Sequence, residues 1–452
     1  MARLCRLSWL APLVWPLVVS AQNTPEIAGI LQRLDRLEQE NRALTDEVRS
    51  LRAELAAARG PAASAPSEAA ASKASADERL DIQEQRTAEL AQTKVEASER
   101  FPIRLTGMAL FNSFLDSRQN GGRDYPTVAS APGPGRAGAT LRQTIVGLDF
   151  RGPVTLWGGA VHGSVYLDFF TGSTAFDQYI RLRTGSLQID WKTRSIMAGI
   201  EKPIFNPREP SSLAQVGVSP LTGTGNLWLW MPQVRFEQDF SVGPSNGLRA
   251  QVGVVQTREV SPYDVSAPPG AVAPSRPGLE GRFEVFHKFD DERRLEIAPG
   301  FHASSTHANG FSVPSNLFSL DWFFNPWQKL EFTGAFYSGQ NVASLGTGGI
   351  NQGYAVYNRF AYAVTSRGGW GQFTVHTVKR LDLHLFTGQM DDDNTRLGTG
   401  GIGKNLIWGI NFFYRLAPNV VLAPEISQLR TVYIGQGTRI NNHYDLALAY
   451  YF

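Results

Sequence analysis

The sequence predicts an all-β membrane protein, a 16-stranded antiparallel transmembrane β-barrel at 101–452 behind an N-terminal α-helical coiled coil. Three observations carry this reading. An export signal opens the chain, residues beyond Phe101 alternate apolar and polar over segments of ~8–14 residues, and short turns alternate with long polar loops.

The chain has 452 residues, 19% of them charged, with a formal net charge of +2. So small a basic excess argues against nucleic acid as a partner. The single cysteine, Cys5, excludes a disulfide framework and a cysteine-rich metal site. No cofactor is expected.

Residues 1–21 read as a secretory signal peptide. Arg3 and Arg6 precede an apolar run from Leu7 to Val19, and Val19-Ser20-Ala21 forms a small-x-small cleavage pattern. The run is too short to span ~30 Å of hydrocarbon. No later stretch approaches a helical span, so an exported chain of this kind is either soluble or a membrane barrel.

Residues 22–58 form the coiled-coil segment. Ile27, Leu34, Asn41, Val48 and Leu55 recur every seven residues, with Ile30, Leu37, Leu44 and Leu51 in the same register. Asn41 at a core position fixes register at some cost in stability. Arg33 and Glu38 flank Leu34 and Leu37, as in the trimerisation motif of short coiled coils. The alternative is a solvated amphipathic helix, but so short a helix is marginal alone in water. Residues 59–100 follow as an Ala/Pro/Ser linker with Pro61 and Pro66, then a polar stretch that reads as a short helix or a disordered spacer.

Beyond Phe101 the period is two. Val161, Gly163, Val165, Leu167 and Phe169 alternate with His162, Ser164, Tyr166 and Asp168. Short turns fall at 151–155, 191–195, 240–247, 289–294, 324–327, 378–381 and 415–419. Long polar segments fall at 116–141, 171–178, 202–231, 258–279, 303–314, 339–369, 391–404 and 433–439. The alternation gives sixteen strands with both ends on the short-turn side, provided that 351–366 belongs to a loop. Trp157, Trp191, Phe240, Phe289, Trp322, Phe324 and Trp327 gather at the short turns, where an aromatic girdle belongs. Tyr444, Leu446, Leu448, Tyr450 and Phe452 alternate to a terminal aromatic, like the signal read by the bacterial barrel-assembly machinery.

Motifs for chemistry are weak. Gly398–Gly403 matches G-x-G-x-x-G but lies in an all-β region, without the strand-to-helix setting of a dinucleotide site. Asp391, Asp392, Asp393 and Asn394 read as a solvated external run; a cation bridging lipopolysaccharide phosphates is the variant. Asp382 and His384 share a strand face, and His302 and His307 fall at a strand end and in a loop. No nucleophile elbow accompanies them, so no enzyme is expected.

The basic residues are more informative. Arg142, Arg181, Arg183, Arg235 and Arg282 fall in the first halves of descending strands and share the parity of lumen-facing positions. Leu187, Ile189 and Trp191 share the parity of Arg181 and Arg183, and a bulge near Gly185 reconciles them. The long segment 202–231 carries Lys202, Arg208 and Glu209, and sits where such barrels fold a loop inward. Two readings stay open. An arginine wall opposite the loop focuses anions, or the arginines pair with Asp168, Asp177, Glu201, Glu237 and Glu284 and merely solvate the wall.

The mature chain resembles the DcaP-like outer-membrane porins and, more distantly, the phosphate-selective O/P porins. The resemblance rests on the coiled coil, Gly163-Ser-Val-Tyr-Leu-Asp-Phe-Phe170, Tyr179-Ile-Arg-Leu-Arg183, Met197-Ala-Gly-Ile-Glu-Lys-Pro203 and Met231-Pro-Gln-Val-Arg235. It implies a homotrimer in outer-membrane lipid and lipopolysaccharide, with a periplasmic coiled coil, passing small anionic solutes such as dicarboxylates. It also implies pore arginines at Arg181, Arg183 and Arg235. The alternative function is a structural anchor that presents a periplasmic coiled-coil spacer.

Overall fold

A computed structural model describes residues 103–171, 178–257, 272–274, 277–308, 310–347, 353–357 and 360–452. The signal peptide, the coiled coil with Arg33, Leu34, Leu37, Glu38 and Asn41, the linker at 59–100, and Asp177 lie outside the described residues.

Alternating residues with β-branched and aromatic side chains build twenty strands among the described residues. They are β1 (Ile103–Asp116), β2 (Arg136–Thr140), β3 (Ile145–Leu156), β4 (Gly159–Thr171), β5 (Tyr179–Asp190), β6 (Arg194–Glu201) and β7 (Met231–Ser241). Next come β8 (Asn246–Val255), β9 (Val272–Pro274), β10 (Gly278–Lys288), β11 (Arg294–Ala308), β12 (Phe311–Trp327) and β13 (Leu330–Gln340). The chain closes with β14 (Tyr354–Tyr357), β15 (Phe360–Ala363), β16 (Thr365–Val378), β17 (Leu381–Asp392), β18 (Ile402–Ala417), β19 (Val420–Tyr433) and β20 (Gly437–Tyr451).

Every stave pairs antiparallel with its neighbours, and β20 returns to β1 over Met108–Asp116, so the sheet has no edge. β2 and β3 pair with the two ends of β1 and make one interrupted stave. β9 is a short loop strand laid on β11, and β14 with β15 forms a separate hairpin. The remaining strands complete a closed barrel of sixteen staves among the described residues.

The turns refine the expected boundaries. The first short turn lies at Trp157 and Gly158, not 151–155, because both residues take the positive φ (51° and 76°) of a tight hairpin turn. The turn expected at 324–327 moves past Trp327, since β12 stays paired to that residue. Residues 303–314 are not a long loop. β11 and β12 pair through Ala308 and Phe311, and the Ser/Thr-rich stretch read as loop supplies polar inward positions such as Ser304, Thr306 and Ser315. The expected loop at 433–439 shrinks to 434–436 for the same reason, because Tyr433 pairs with Gly437. Residues 351–366 hold the β14–β15 hairpin and add no stave.

Outward rows are apolar. Val234, Phe236, Leu446 and Leu448 are among the exposed side chains. Phe324, Phe332 and Phe373 line up across three staves near the short turns, with ring centroids 6.4 and 4.7 Å apart. Trp157, Phe240, Phe289 and Trp327 are exposed at the same end. Trp322 sits farther along its strand, its ring against Gly334.

Candidate functional site

Residues 202–230, between β6 and β7, run inside the barrel. Pro203, Pro207, Pro210 and Pro220 lack the amide a ladder needs, so this stretch cannot extend the wall. Its backbone fastens to side chains around the lumen. Ile204 N donates to Glu280 on β10 (2.8 Å), and Phe205 O accepts from Ser319 on β12 (3.0 Å). Ser211 O accepts from Asn411 on β18 (2.8 Å), and Leu213 O from Asn112 on β1 (2.8 Å). Gln143, in the break between β2 and β3, acts as a clamp. Its amide nitrogen donates to Ala214 O (2.8 Å), and its oxygen accepts from the amides of Val216 (2.6 Å) and Gly217 (2.7 Å). On the return limb a Cβ at Gly225 would lie 2.2 Å from Gly369 O, so only glycine lets the segment approach the wall there.

Apolar residues facing inward mark where the segment docks. Leu213 packs with Met108, Leu110, Ala423, Ala447 and Ala449. Phe205 and Leu227 pack with Leu317, Tyr337 and Leu345. Leu221 packs with Ala335, Trp370 and Phe386. A second inward piece comes from 117–135. Ala129 N donates to Thr431 (2.8 Å), and Tyr125 lies against Phe114 with ring centroids 5.4 Å apart. Burial pushes the Tyr125 hydroxyl well above its ordinary pKa, and the charges of Asp445 and Asp124 add to this, so it stays neutral.

The predicted basic residues separate into two groups and one singleton. In the first group, Arg142 shares Asp124 with Arg136, which the sequence reading did not single out (2.8 and 2.6 Å), while Arg181 and Arg183 share Asp168 (2.6 and 2.7 Å). Both β5 arginines reach inward because the β4–β5 register skips Arg183, a bulge two residues before Gly185. Arg181 and Arg183 also donate to the carbonyls of Gly217 and Val216. Trp230 lies 5.3 Å from the Arg181 guanidinium and 4.4 Å from that of Arg183. Lys202 is tied to Glu209 on the inward segment (2.5 Å).

In the second group, Asp321 accepts from both Arg208 (2.6 Å) and Arg282 (2.7 Å). Arg208 also meets Glu296 (2.7 Å) and Arg282 meets Glu284 (2.6 Å). Arg208, Arg282, Glu284 and Glu296, with Arg249 and Arg294, line a cavity of about 520 Å³, and Asp321 lies behind them. Here carboxylates balance the arginines. Arg235 belongs to neither group; it faces inward from β7, and its Nε has no hydrogen-bond partner among the described residues. Elsewhere on the wall Asp116, Glu425 and Asp445 form an acidic side with His443.

Of the carboxylates expected to pair with those arginines, Asp168 and Glu284 do so, while Glu237 meets Arg249 instead. Sequence reasoning missed Asp124, Gln143, Trp230 and Asp321. Asp321 was findable from the alternation Leu320, Asp321, Trp322; the others depend on the path of loops. It also placed His302 at a strand end. The side chain is instead buried, with Nδ1 2.9 Å from Glu280 and Nε2 2.8 Å from Ser304. This Ser–His–Glu line is sealed beneath Phe205, and Glu280 uses its other oxygen to hold Ile204 N, so it fastens the inward segment. Asp382 pairs with His376 and Arg415, and His384 bonds Thr374. His307 lies in β11, exposed, rather than in a loop. Asp391 meets Lys404 (3.6 Å), and Asp393 caps the amide of Thr395 (3.0 Å).

No protein-family model and no curated protein matches the chain. Among solved structures, the outer membrane channel DcaP of Acinetobacter baumannii superimposes with a TM-score of 0.66 at 18% identity, covering 77% of this chain and 97% of that one. An anion-selective porin from Comamonas acidovorans superimposes with a TM-score of 0.54 at 10% identity, covering 77% and 99%. The chain therefore has the fold of a porin-type outer-membrane channel. The resemblance to DcaP-like porins read from the sequence recurs in the fold.

Proposed function

We propose that this chain is a passive diffusion channel of the bacterial outer membrane for small hydrophilic solutes, favouring anions such as dicarboxylates or phosphate. One observation carries the preference. Asp124 and Asp168 are each shared by two arginines, which leaves surplus positive charge beside the inward segment. In a narrow path with low-dielectric walls, a small surplus concentrates counter-ions strongly. The name of the Comamonas porin, anion-selective, is consistent with this reading. Reversal potentials in planar bilayers under a salt gradient test it: anion preference supports it, and cation preference overturns it.

In the same reading the protein is a homotrimer held by its coiled coil in the periplasm, and Tyr444, Leu446, Leu448, Tyr450 and Phe452 serve barrel assembly. A chain that begins near Phe101 is expected to form barrels whose trimers dissociate at lower temperature on semi-native gels. Equal heat resistance would remove the coiled coil from trimer assembly.

A second reading draws on how far residues 202–230 and 117–135 fill the interior. A barrel so occupied that it never conducts is an anchor for the coiled-coil spacer. Conductance separates the two.

A further inference from the structure

The cavity of about 520 Å³ lies between Arg208 and Ser211 of the inward segment and the short-turn ends of β11 and β13. Its lining carries four arginines and four glutamates, so unlike the groups around Asp124 and Asp168 it has no surplus of either sign. A solute with a single charge leaves the opposite charge of this wall unmatched, and unmatched charge discriminates against a ligand. A solute that bears both signs matches both.

Most of these charges are occupied by one another. Arg208 and Arg282 hold Asp321, and Lys202 holds Glu209. Two groups keep free capacity. The Arg294 side chain is 45% exposed; its Nε donates to Glu296 (2.6 Å), and its two terminal nitrogens make no hydrogen bond among the described residues. Its guanidinium is steadied over Phe323, 4.2 Å from the ring centroid. The Glu331 side chain is 27% exposed, and among the described residues only the His376 ring comes within ion-pair distance, at 4.0 Å. Glu296 pairs in register with Phe323, and Phe323 with Thr333. Arg294 and Glu331 lie two residues nearer the short turns than Glu296 and Thr333, on the same inward faces. They therefore stand two strand steps apart at one level, ~10 Å backbone to backbone at ~4.8 Å per step.

We infer that this cavity is a binding station for small zwitterions, molecules with one carboxylate and one ammonium group. The carboxylate meets the free nitrogens of Arg294, the ammonium meets Glu331, and the Phe323 ring between them offers an apolar edge to the rest of the solute. The assignment rests on the channel reading and deepens it: solutes selected beside Trp230 for negative charge reach, on the other side of the inward segment, a wall that also holds a positive group. Both contacts are charge-assisted hydrogen bonds, which are the stronger kind.

The test titrates the full-length protein in detergent and reads binding by saturation-transfer NMR of the ligand. The probes are phenylalanine, phenylpropionate, which lacks the ammonium, and phenylethylamine, which lacks the carboxylate. Phenylalanine is expected to bind about tenfold more tightly than either of the others, because each of them loses one hydrogen bond between charged groups. E331Q should weaken phenylalanine about tenfold and leave phenylpropionate unchanged, while R294Q should weaken phenylalanine about tenfold and leave phenylethylamine unchanged. Both positions are exposed at strand ends, and E331D, which keeps the charge, should retain most of the affinity. Equal binding of the three probes, binding of none, or unchanged phenylalanine affinity in both variants would overturn the assignment. Phenylpropionate tighter than phenylalanine would make the cavity an anion station instead. This readout needs no current, so its failure is distinguishable from failure of the channel reading, which conductance in bilayers decides.

Discussion

Asp321→Ala is expected to destabilise the barrel by about 3–5 kcal/mol, the loss typical when one partner of a buried charge pair is removed. The Asp321 side chain is fully buried and accepts from Arg208 on the inward segment and from Arg282 on β10. Without it, two guanidinium groups stay in a water-poor site with only Glu284 and Glu296 to share. The loss should show as a lower urea midpoint for barrel unfolding, read by tryptophan fluorescence. Because Arg208 fastens the inward segment to the wall, the open-channel current should also become noisier. Asp321→Asn keeps hydrogen-bond capacity and should cost less. A shift below about 1 kcal/mol for the alanine variant would mean that the network is solvated rather than structural.

The double reversal R181E/R183E is expected to abolish anion preference and change the sign of the reversal potential. Both side chains converge on Asp168, flank Trp230 and touch the carbonyls of the inward segment. Each reversal changes the local charge by two units where the field is least screened. Because Asp168 would then sit among like charges, R181Q/R183Q is the companion variant. It should lose preference without inverting it. Unchanged selectivity in both variants would move the selective charge elsewhere, with Arg235 the first candidate.

The parts of this molecule that were readable in advance depend on neighbours close in sequence. Val161 to Phe169 alternate because residues two apart share a face, and that period survives any tertiary rearrangement. The β5 bulge was readable too, since Arg181 and Leu187 cannot share one parity and both face sensible surroundings. The hairpin at Ala308 and Phe311 was misread because serine and threonine suit a solvated lumen wall as well as a loop. The lumenal arginines were placed by parity, but only some of their partners were. Arg142 meets Asp124 and Arg208 meets Asp321, residues 18 and 113 positions away.

By itself, then, the sequence determined a closed sixteen-stave barrel with apolar rows outward and arginines inward, because strand geometry converts alternation directly into two faces. Only the tertiary structure decided how the interior is filled. The inward apolar residues Met108, Leu110 and Ala447 contradict the polar-lumen pattern until Leu213 is seen packed on them. The clamp of Gln143 and the sharing of Asp124 and Asp168 likewise exist only once a prolyl segment lies across the lumen. Such contacts join positions far apart in the chain, and no local period encodes them.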